Sequence, residues 1–139
     1  ARLSMETEPS QQFDVLALDA FSSDAIPVHL LTKEAIEIYL RHMKPDGIIA
    51  VHVSNRYLNL EPVVEGLAKH FALKTAIISN YPDEDDWWLY TSTWVLLAKN
   101  PAALADKSIH DAIDLPREKS ISVPLWTDEY TSLLPILVQ

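Results

Sequence analysis

The chain has 139 residues, of which 48% are hydrophobic and 22% are charged, proportions typical of one folded domain rather than a disordered chain. Its formal net charge of −9 disfavours nucleic acid or an anionic membrane surface as the main partner and is compatible with a cationic one. The absence of cysteine excludes disulfides, thiolate catalysis and cysteine-ligated zinc.

The first third of the chain predicts a strand, a loop and a helix. Residues 1–12 are polar and are expected to form a frayed lead-in, whereas the apolar run 13–18 predicts a buried strand. Thr32 is suited to cap the amino end of a helix, with Glu34 in the first turn, where the helix dipole favours an acid. Residues 45–47, Pro-Asp-Gly, are expected to end that helix.

The next part of the chain predicts three further strands and a second helix. The strands are expected over residues 48–53, 74–79 and 93–98, each rich in apolar and β-branched residues. Asn59 can cap the helix between the first two of these strands, and Pro62 is tolerated in its first turn.

A short helix within residues 101–113 and a loop-rich tail over 114–139 complete the chain. The order strand, helix, strand, helix, strand, strand predicts an α/β fold with a mostly parallel sheet and an antiparallel last strand. No stretch approaches ~18 uninterrupted apolar residues, and the start lacks an apolar signal-peptide core, so we expect a cytoplasmic chain that makes no membrane contact.

Asp19 directly follows the first predicted strand, and Asp24 lies in the same loop with Phe21 between them. In open α/β sheets, ligands bind outside the carboxyl ends of the strands, and two acids around an aromatic ring favour a cation. The alternative is that Asp19 braces the loop while Asp24 is solvated.

The connection between the third and fourth predicted strands carries four consecutive acids, 83–86, beside Tyr81, Trp87 and Trp88. This segment can surround an ammonium group through charge and cation–π contact, or it can form a solvated acidic turn with its tryptophans at the core edge. The spacing of its acids does not match an EF-hand loop, so we predict no metal.

Histidines offer a further set of candidates. His42 falls on a predicted helix and is expected to be exposed, while His52 lies near the carboxyl end of the second strand and is more typical of a hydrogen-bonded sheet residue than of a catalyst. A triad could be drawn from Ser22, His29 or His52 and Asp19, but serine-rich loops commonly allow this and we do not assign it.

Residues 13–34, which read FDVLALDAFSSDAIPVHLLTKE, resemble the polyamine aminopropyltransferases (spermidine synthases). The resemblance is greatest to their bacterial spermidine synthase-like relatives, some of which are fused to membrane transporter segments. Pro45-Asp46-Gly47-Ile48-Ile49 resembles the family's turn into the next strand. Tyr81-Pro82, followed by Trp88 and Ala98-Lys99, resembles a Tyr-Pro…Trp…Ser-Lys segment, and Trp126-Thr127-Asp128-Glu129-Tyr130 resembles a tail motif of the relatives.

The resemblance implies a partial Rossmann-like methyltransferase fold that uses decarboxylated S-adenosylmethionine as co-substrate and moves its aminopropyl group to a small cationic amine. The alternatives are a methyltransferase that uses S-adenosylmethionine with another acceptor, and a non-catalytic amine-binding fragment. By family analogy Asp19 is the catalytic acid, Asp24 and Tyr81 bind the amine, and Ala1, Ala20 and Pro27 contact the co-substrate.

The sequence also departs from the family. Asp19 and Asp24 are five positions apart instead of three, and Ala25 replaces the proline that directly follows the second acid. On the family pattern, the glycine-rich loop and the acids that bind ribose and adenine precede Ala1. We therefore expect residues 1–139 to be the carboxyl-terminal part of one longer domain, inactive alone, with an exposed sheet edge through which it could form a homo-oligomer.

Overall fold

A computed structural model describes residues 2–20, 27–82, 89–114 and 121–138. Within these ranges, short 3₁₀ turns occupy Val28–Leu30, Pro101–Leu104 and Leu134–Ile136. The strands are β1 (Phe13–Leu18), β2 (Met43–His52), β3 (Lys74–Asn80) and β4 (Ser92–Ala98), and the helices are α1 (Arg2–Thr7), α2 (Lys33–Arg41), α3 (Glu61–His70) and α4 (Lys107–His110).

The strands form one mixed sheet in the order β1-β2-β4-β3. β1 and β2 are parallel, whereas β4 runs antiparallel to both of its neighbours, β2 and β3. The α/β class and the antiparallel last strand are therefore confirmed, and β1, β2 and β3 share one direction. The prediction of a mostly parallel sheet is wrong, because β4 inserts between β2 and β3 and makes two of the three strand pairings antiparallel.

One face of the sheet carries the main core. Ile49 and Val51 alternate along β2 and pack beside Val95 and Leu97 of β4, and all four are almost inaccessible to solvent. This alternation is what strands with one buried face require. Helices α2 and α3 cover this face with apolar stripes that include Ile36, Tyr39, Val64 and Leu67.

The opposite face is covered at one end by a smaller cluster that includes Ala98 and Leu104, which brings the segment after β4 onto the sheet. Val15 of β1 lies on this second face and is exposed. Side chains two or four residues apart on a strand share a face. Trp94 is four residues from Ala98 on β4, and His52 is four residues from Ile48 on β2, so both also lie on the second face. Asp19 follows Val15 by four residues and continues the same row.

The predicted cap of α2 is confirmed, but the predicted end of this helix is wrong. Thr32 Oγ1 accepts a hydrogen bond from the Ala35 amide at 3.3 Å. The helix ends at Arg41, and residues 45–47 lie inside β2. They belong to an irregularity in the β1–β2 pairing: Phe13 pairs with Met43 and Val15 with Ile48, so five steps along β2 match two along β1.

Two other predictions fail because they depend on contacts distant in sequence. Residues 2–7 of the expected polar lead-in form helix α1, whose carbonyl groups at Met5 and Glu6 accept hydrogen bonds from Arg41. His42, expected to be exposed, is fully buried. Its Nε2 lies 2.7 Å from the Met5 carbonyl and its Nδ1 accepts from the Gln11 amide at 3.3 Å, so both ring nitrogens are satisfied.

In the part of the chain that the structure describes, the helices are too short or too polar to cross a lipid bilayer.

Candidate functional site

One edge of the sheet collects the residues that follow β1, β2 and β3. Because these strands run in the same direction, their carboxyl ends meet there, together with the amino end of β4. Asp19 follows β1, His52 ends β2 and Tyr81 follows β3. This is the edge at which open α/β sheets bind their ligands.

Asp19 and His52 form a direct pair at this edge. His52 Nδ1 lies 2.7 Å from Asp19 Oδ1. The pair follows from the parallel register, since Leu18 pairs with Val51 and the next residue of each strand must then lie side by side. The Asp19 side chain is 59% exposed, whereas that of His52 is only 13% exposed. An accessible carboxylate is thus held by a nearly buried imidazole.

The ring of His52 is itself held by the neighbouring strand. It stacks on Trp94, its cross-strand partner, with ring centroids 4.8 Å apart and an interplanar angle of 21°. Because a carboxylate only accepts hydrogen bonds, the N–H of Nδ1 donates to Asp19 Oδ1. Nε2 is buried and has no hydrogen-bond partner among the described residues.

A cleft of about 860 Å³ opens beside His52, between the segment after β2 and the start of β4, and Asp19 is not among the described residues that line it. The loop after β2 is held in place because the Thr93 amide donates to Ser54 Oγ at 2.6 Å. The walls of the cleft combine hydrogen-bonding groups with a larger share of apolar surface. Its lining includes His52, Ser54, Arg56, Glu61, Tyr90 and Thr93.

The residues that the sequence analysis assigned to the site do not all come together. Ala20 is exposed next to Asp19, and Pro27 is partly buried where it precedes the Val28–Leu30 turn. Tyr81 is 67% exposed, and β2 and β4 separate its strand from that of Asp19. Three strand spacings amount to about 14 Å. Ala1, Asp24 and the acidic run 83–86 lie outside the described residues.

Within the described ranges, no group of three or more histidine, aspartate or glutamate side chains is arranged to hold a metal ion. His52 is the site residue that sequence reasoning left without a role. His52 can be identified from its position at the end of β2, the strand next to β1, together with the parallel register of these two strands.

The tail motif 126–130 has a structural role at the start of α2. Arg2 donates to both carboxylate oxygens of Asp128, at 2.8 and 2.5 Å, and Thr32 Oγ1 donates to the same group at 2.6 Å. The hydrogen bonds from Arg2 and then Thr32 lower the pKa of Asp128 to about 2. The backbone carbonyl of buried Trp126 accepts a hydrogen bond from the Lys33 amide at 2.8 Å. The motif therefore clamps α1 to the start of α2.

Comparison with known proteins adds no family assignment. No protein-family model matches the chain, and a search of curated proteins found no match to it. The function therefore has to be argued from the edge of the sheet that carries Asp19 and His52.

Proposed function

We propose that this chain carries the acceptor side of a group-transfer site, part of a spermidine synthase-like domain that moves an aminopropyl group from decarboxylated S-adenosylmethionine to an amine. The observation that carries the proposal is the Asp19 carboxylate, which is exposed at the carboxyl end of β1 with one oxygen bound by His52. A carboxylate so placed can meet a cationic amine at the ligand-binding edge of the sheet.

The chemistry required of Asp19 follows from the acidity of amines. An amine of pKa ~10 is mostly protonated at neutral pH, and a carboxylate of pKa ~4 is about six pKa units, or roughly 8 kcal/mol, too weak to hold its proton beforehand. The ammonium first loses one proton to solvent; the lone pair of the neutral amine then forms the new C–N bond while the C–S bond breaks and its electron pair returns to sulfur. Asp19 orients the amine and accepts a hydrogen bond from the nitrogen, which becomes positively charged and more acidic as the bond forms.

The fold is compatible with a partial Rossmann-like domain. Three strands share one direction and the last runs against them, as the resemblance implies. On its outer side β1 has no strand partner among the described residues, and Val15 is exposed on the second sheet face. This free edge suits strands from the remainder of a parent domain, and it is also where we propose that the isolated chain pairs with a second copy.

Tyr81 fits the proposal at its periphery. It lies about 14 Å along the edge from Asp19 by strand spacing, and we propose that it lines the far end of an extended amine rather than contacting the reacting nitrogen. Asp24 and Tyr81 remain our proposed amine-binding residues, and Ala1, Ala20 and Pro27 our proposed contacts to the co-substrate. Ala20 is adjacent to Asp19 in the chain, which places its backbone beside the reacting groups.

One observation favours an alternative acceptor. Arg56 and Glu61 both line the cleft beside His52, so a guanidinium is available there to an acceptor that carries a carboxylate. Methyl transfer from S-adenosylmethionine to an acceptor that carries hydroxyl or carboxylate groups suits such a cleft better than transfer to a diamine does.

The test uses the full-length parent, incubated with 1,4-diaminobutane and either decarboxylated S-adenosylmethionine or S-adenosylmethionine, with products identified by mass spectrometry. We expect aminopropyl transfer, and we expect Asp19→Asn to lower kcat by about 100-fold or more with a much smaller change in KM. Asp14→Asn is the matched control, since Asp14 is an exposed carboxylate on β1 that pairs with Lys44 away from the site.

Three outcomes would count against the proposal. Methyl transfer alone would support the alternative, and transfer of neither group by the intact parent would leave a non-catalytic amine-binding protein. An Asp19→Asn variant with unchanged turnover would remove Asp19 from the mechanism. We expect the 139-residue chain by itself to be inactive, and turnover by it alone would show that the rest of the parent is dispensable.

A further inference from the structure

Trp94, His52 and Asp19 form a continuous row on the second face of the sheet, from β4 across β2 to the end of β1. The indole stacks on the imidazole at 4.8 Å, and the imidazole lies 2.7 Å from the carboxylate. Asp19 is the exposed member of the row, with a side chain that is 59% accessible, whereas His52 and Trp94 are partly buried. The row therefore links a partly buried ring on the sheet face to a charged group at the edge of the sheet.

We propose that His52 is a positioning residue for Asp19, which fixes the carboxylate before a ligand arrives and leaves its second oxygen free to bind an ammonium group. This inference rests on the proposed role of Asp19 in amine binding. His52 acts through Asp19 and does not itself touch the reacting atoms.

A comparison with His42 separates this arrangement from a structural histidine. His42 is fully buried, and both of its ring nitrogens bond to the backbone, at Met5 and at Gln11. His52 uses one ring nitrogen, and its partner is a side chain at the surface instead of the backbone. His52 therefore differs from His42 in bonding through one ring nitrogen among the described residues and in holding an accessible acid.

A comparison with Asp128 shows what the geometry leaves available. Arg2 bonds both oxygens of Asp128, and Thr32 bonds one of them again, so that carboxylate is paired with a cation and accepts three hydrogen bonds. At Asp19, the donor found among the described residues is the N–H of His52, which binds Oδ1. A neutral imidazole with its proton on Nδ1 leaves the negative charge of Asp19 intact, and protonation would bury an N–H at Nε2 that finds no acceptor among the described residues.

The expected benefit is conformational. A free surface aspartate samples several rotamers, and a ligand that requires one of them must immobilise the side chain when it binds. His52 has already restricted the Asp19 side chain to one rotamer, so removing the His52 side chain should weaken amine binding by about three- to tenfold.

The experiment uses the ¹⁵N,¹³C-labelled chain and three variants. In His52→Asn the amide nitrogen takes the place of Nδ1 and can still donate to Asp19, whereas His52→Ala removes the donor. His110→Ala, an exposed histidine on α4, is the control. Long-range ¹H–¹⁵N spectra report which nitrogen of His52 is protonated, side-chain couplings report the rotamers of Asp19, and titration with 1,4-diaminobutane reports affinity.

We expect Nδ1 to carry the proton and Asp19 to occupy one rotamer in the wild-type chain and in His52→Asn. In His52→Ala, the Asp19 couplings should average and diamine binding should weaken by about three- to tenfold. A proton on Nε2 instead, averaged Asp19 couplings in the wild-type chain, or equal behaviour of His52→Asn and His52→Ala would overturn the proposal.

The readouts also separate this inference from the proposed function. If the wild-type chain binds no diamine, the amine-binding role of Asp19 loses its support, while the tautomer and the couplings still decide whether His52 positions the carboxylate. If diamine binds equally to the wild-type chain and to His52→Ala, the amine site stands and the role of His52 is rejected.

Discussion

Replacing each of the two glycines of the chain by alanine is expected to change the stability of the protein in opposite directions. Gly47 lies in the irregular part of β2, where an added Cβ would stand 2.8 Å from the Phe13 carbonyl oxygen and 2.7 Å from Met43 Cε. Gly66 lies inside α3, and an added Cβ there would meet nothing within 4 Å. We expect Gly47→Ala to destabilise the protein and Gly66→Ala to stabilise it.

The magnitudes follow from what can move. The flexible Met43 side chain can turn away, but the Phe13 oxygen belongs to the backbone of β1, and 2.8 Å is 0.6 Å short of ordinary contact at 3.4 Å. Relief requires a shift in the first β1–β2 pairing, and overpacking of this kind costs about 1–3 kcal/mol. Replacing a glycine by alanine in a helix interior contributes about 1 kcal/mol of stability.

Urea unfolding followed by circular dichroism measures both effects as midpoint shifts at constant slope. The two variants should differ by about 2–4 kcal/mol in free energy of unfolding, with the wild-type protein between them. A Gly47→Ala variant as stable as the wild type would show that the β1–β2 register tolerates a side chain at this position, and that the close approach to Phe13 is not a constraint on the fold.

Two further predictions concern pH. Asp128, with its pKa lowered to about 2 by Arg2 and Thr32, stabilises the folded state above its ordinary pKa of 3.8, and this contribution is lost as the pH falls towards 2. Because its side chain is 42% exposed, Asp128→Asn should cost about 1 kcal/mol at pH 7 and much less at pH 2, measured by urea unfolding at both values. Burial raises the pKa of Tyr39 to about 12 from 10.0, so its contribution is complete below pH 10 and lost as the pH rises to 12. Tyr39→Phe should remove that alkaline loss of stability in unfolding at pH 9 and 11; an unchanged loss would assign it to another group.

The features that could be predicted are those set by near neighbours in the chain. The strand over residues 13–18 matches β1 in both bounds, and Thr32 caps α2 as predicted. Pro62 is found in the first turn of α3, where its missing N–H costs nothing. Apolar patterning and helix capping involve only a few neighbouring residues, so both can be recognised in the sequence without knowledge of the fold.

The failed predictions share a different cause. Pro-Asp-Gly at 45–47 has the composition of a turn, but it lies in the irregular stretch of β2 between Met43 and Ile48, both of which pair with β1. The helix α1 and the burial of His42 depend on partners about 30 residues or more away. No local pattern carries that information, since the sequence of a polar segment that contacts a distant partner looks the same as that of a segment with no such partner.

The candidate site divides in the same way. The place of Asp19 at the tip of an apolar strand was apparent from composition and order, because strand ends and turn residues are encoded by adjacent side chains. That His52 is its partner, that Trp94 holds His52, and that Tyr81 stands about 14 Å along the edge depend on which strands become neighbours and in which register. Strand order and register are settled when all strands pack at once, so these relations emerged only from the folded sheet.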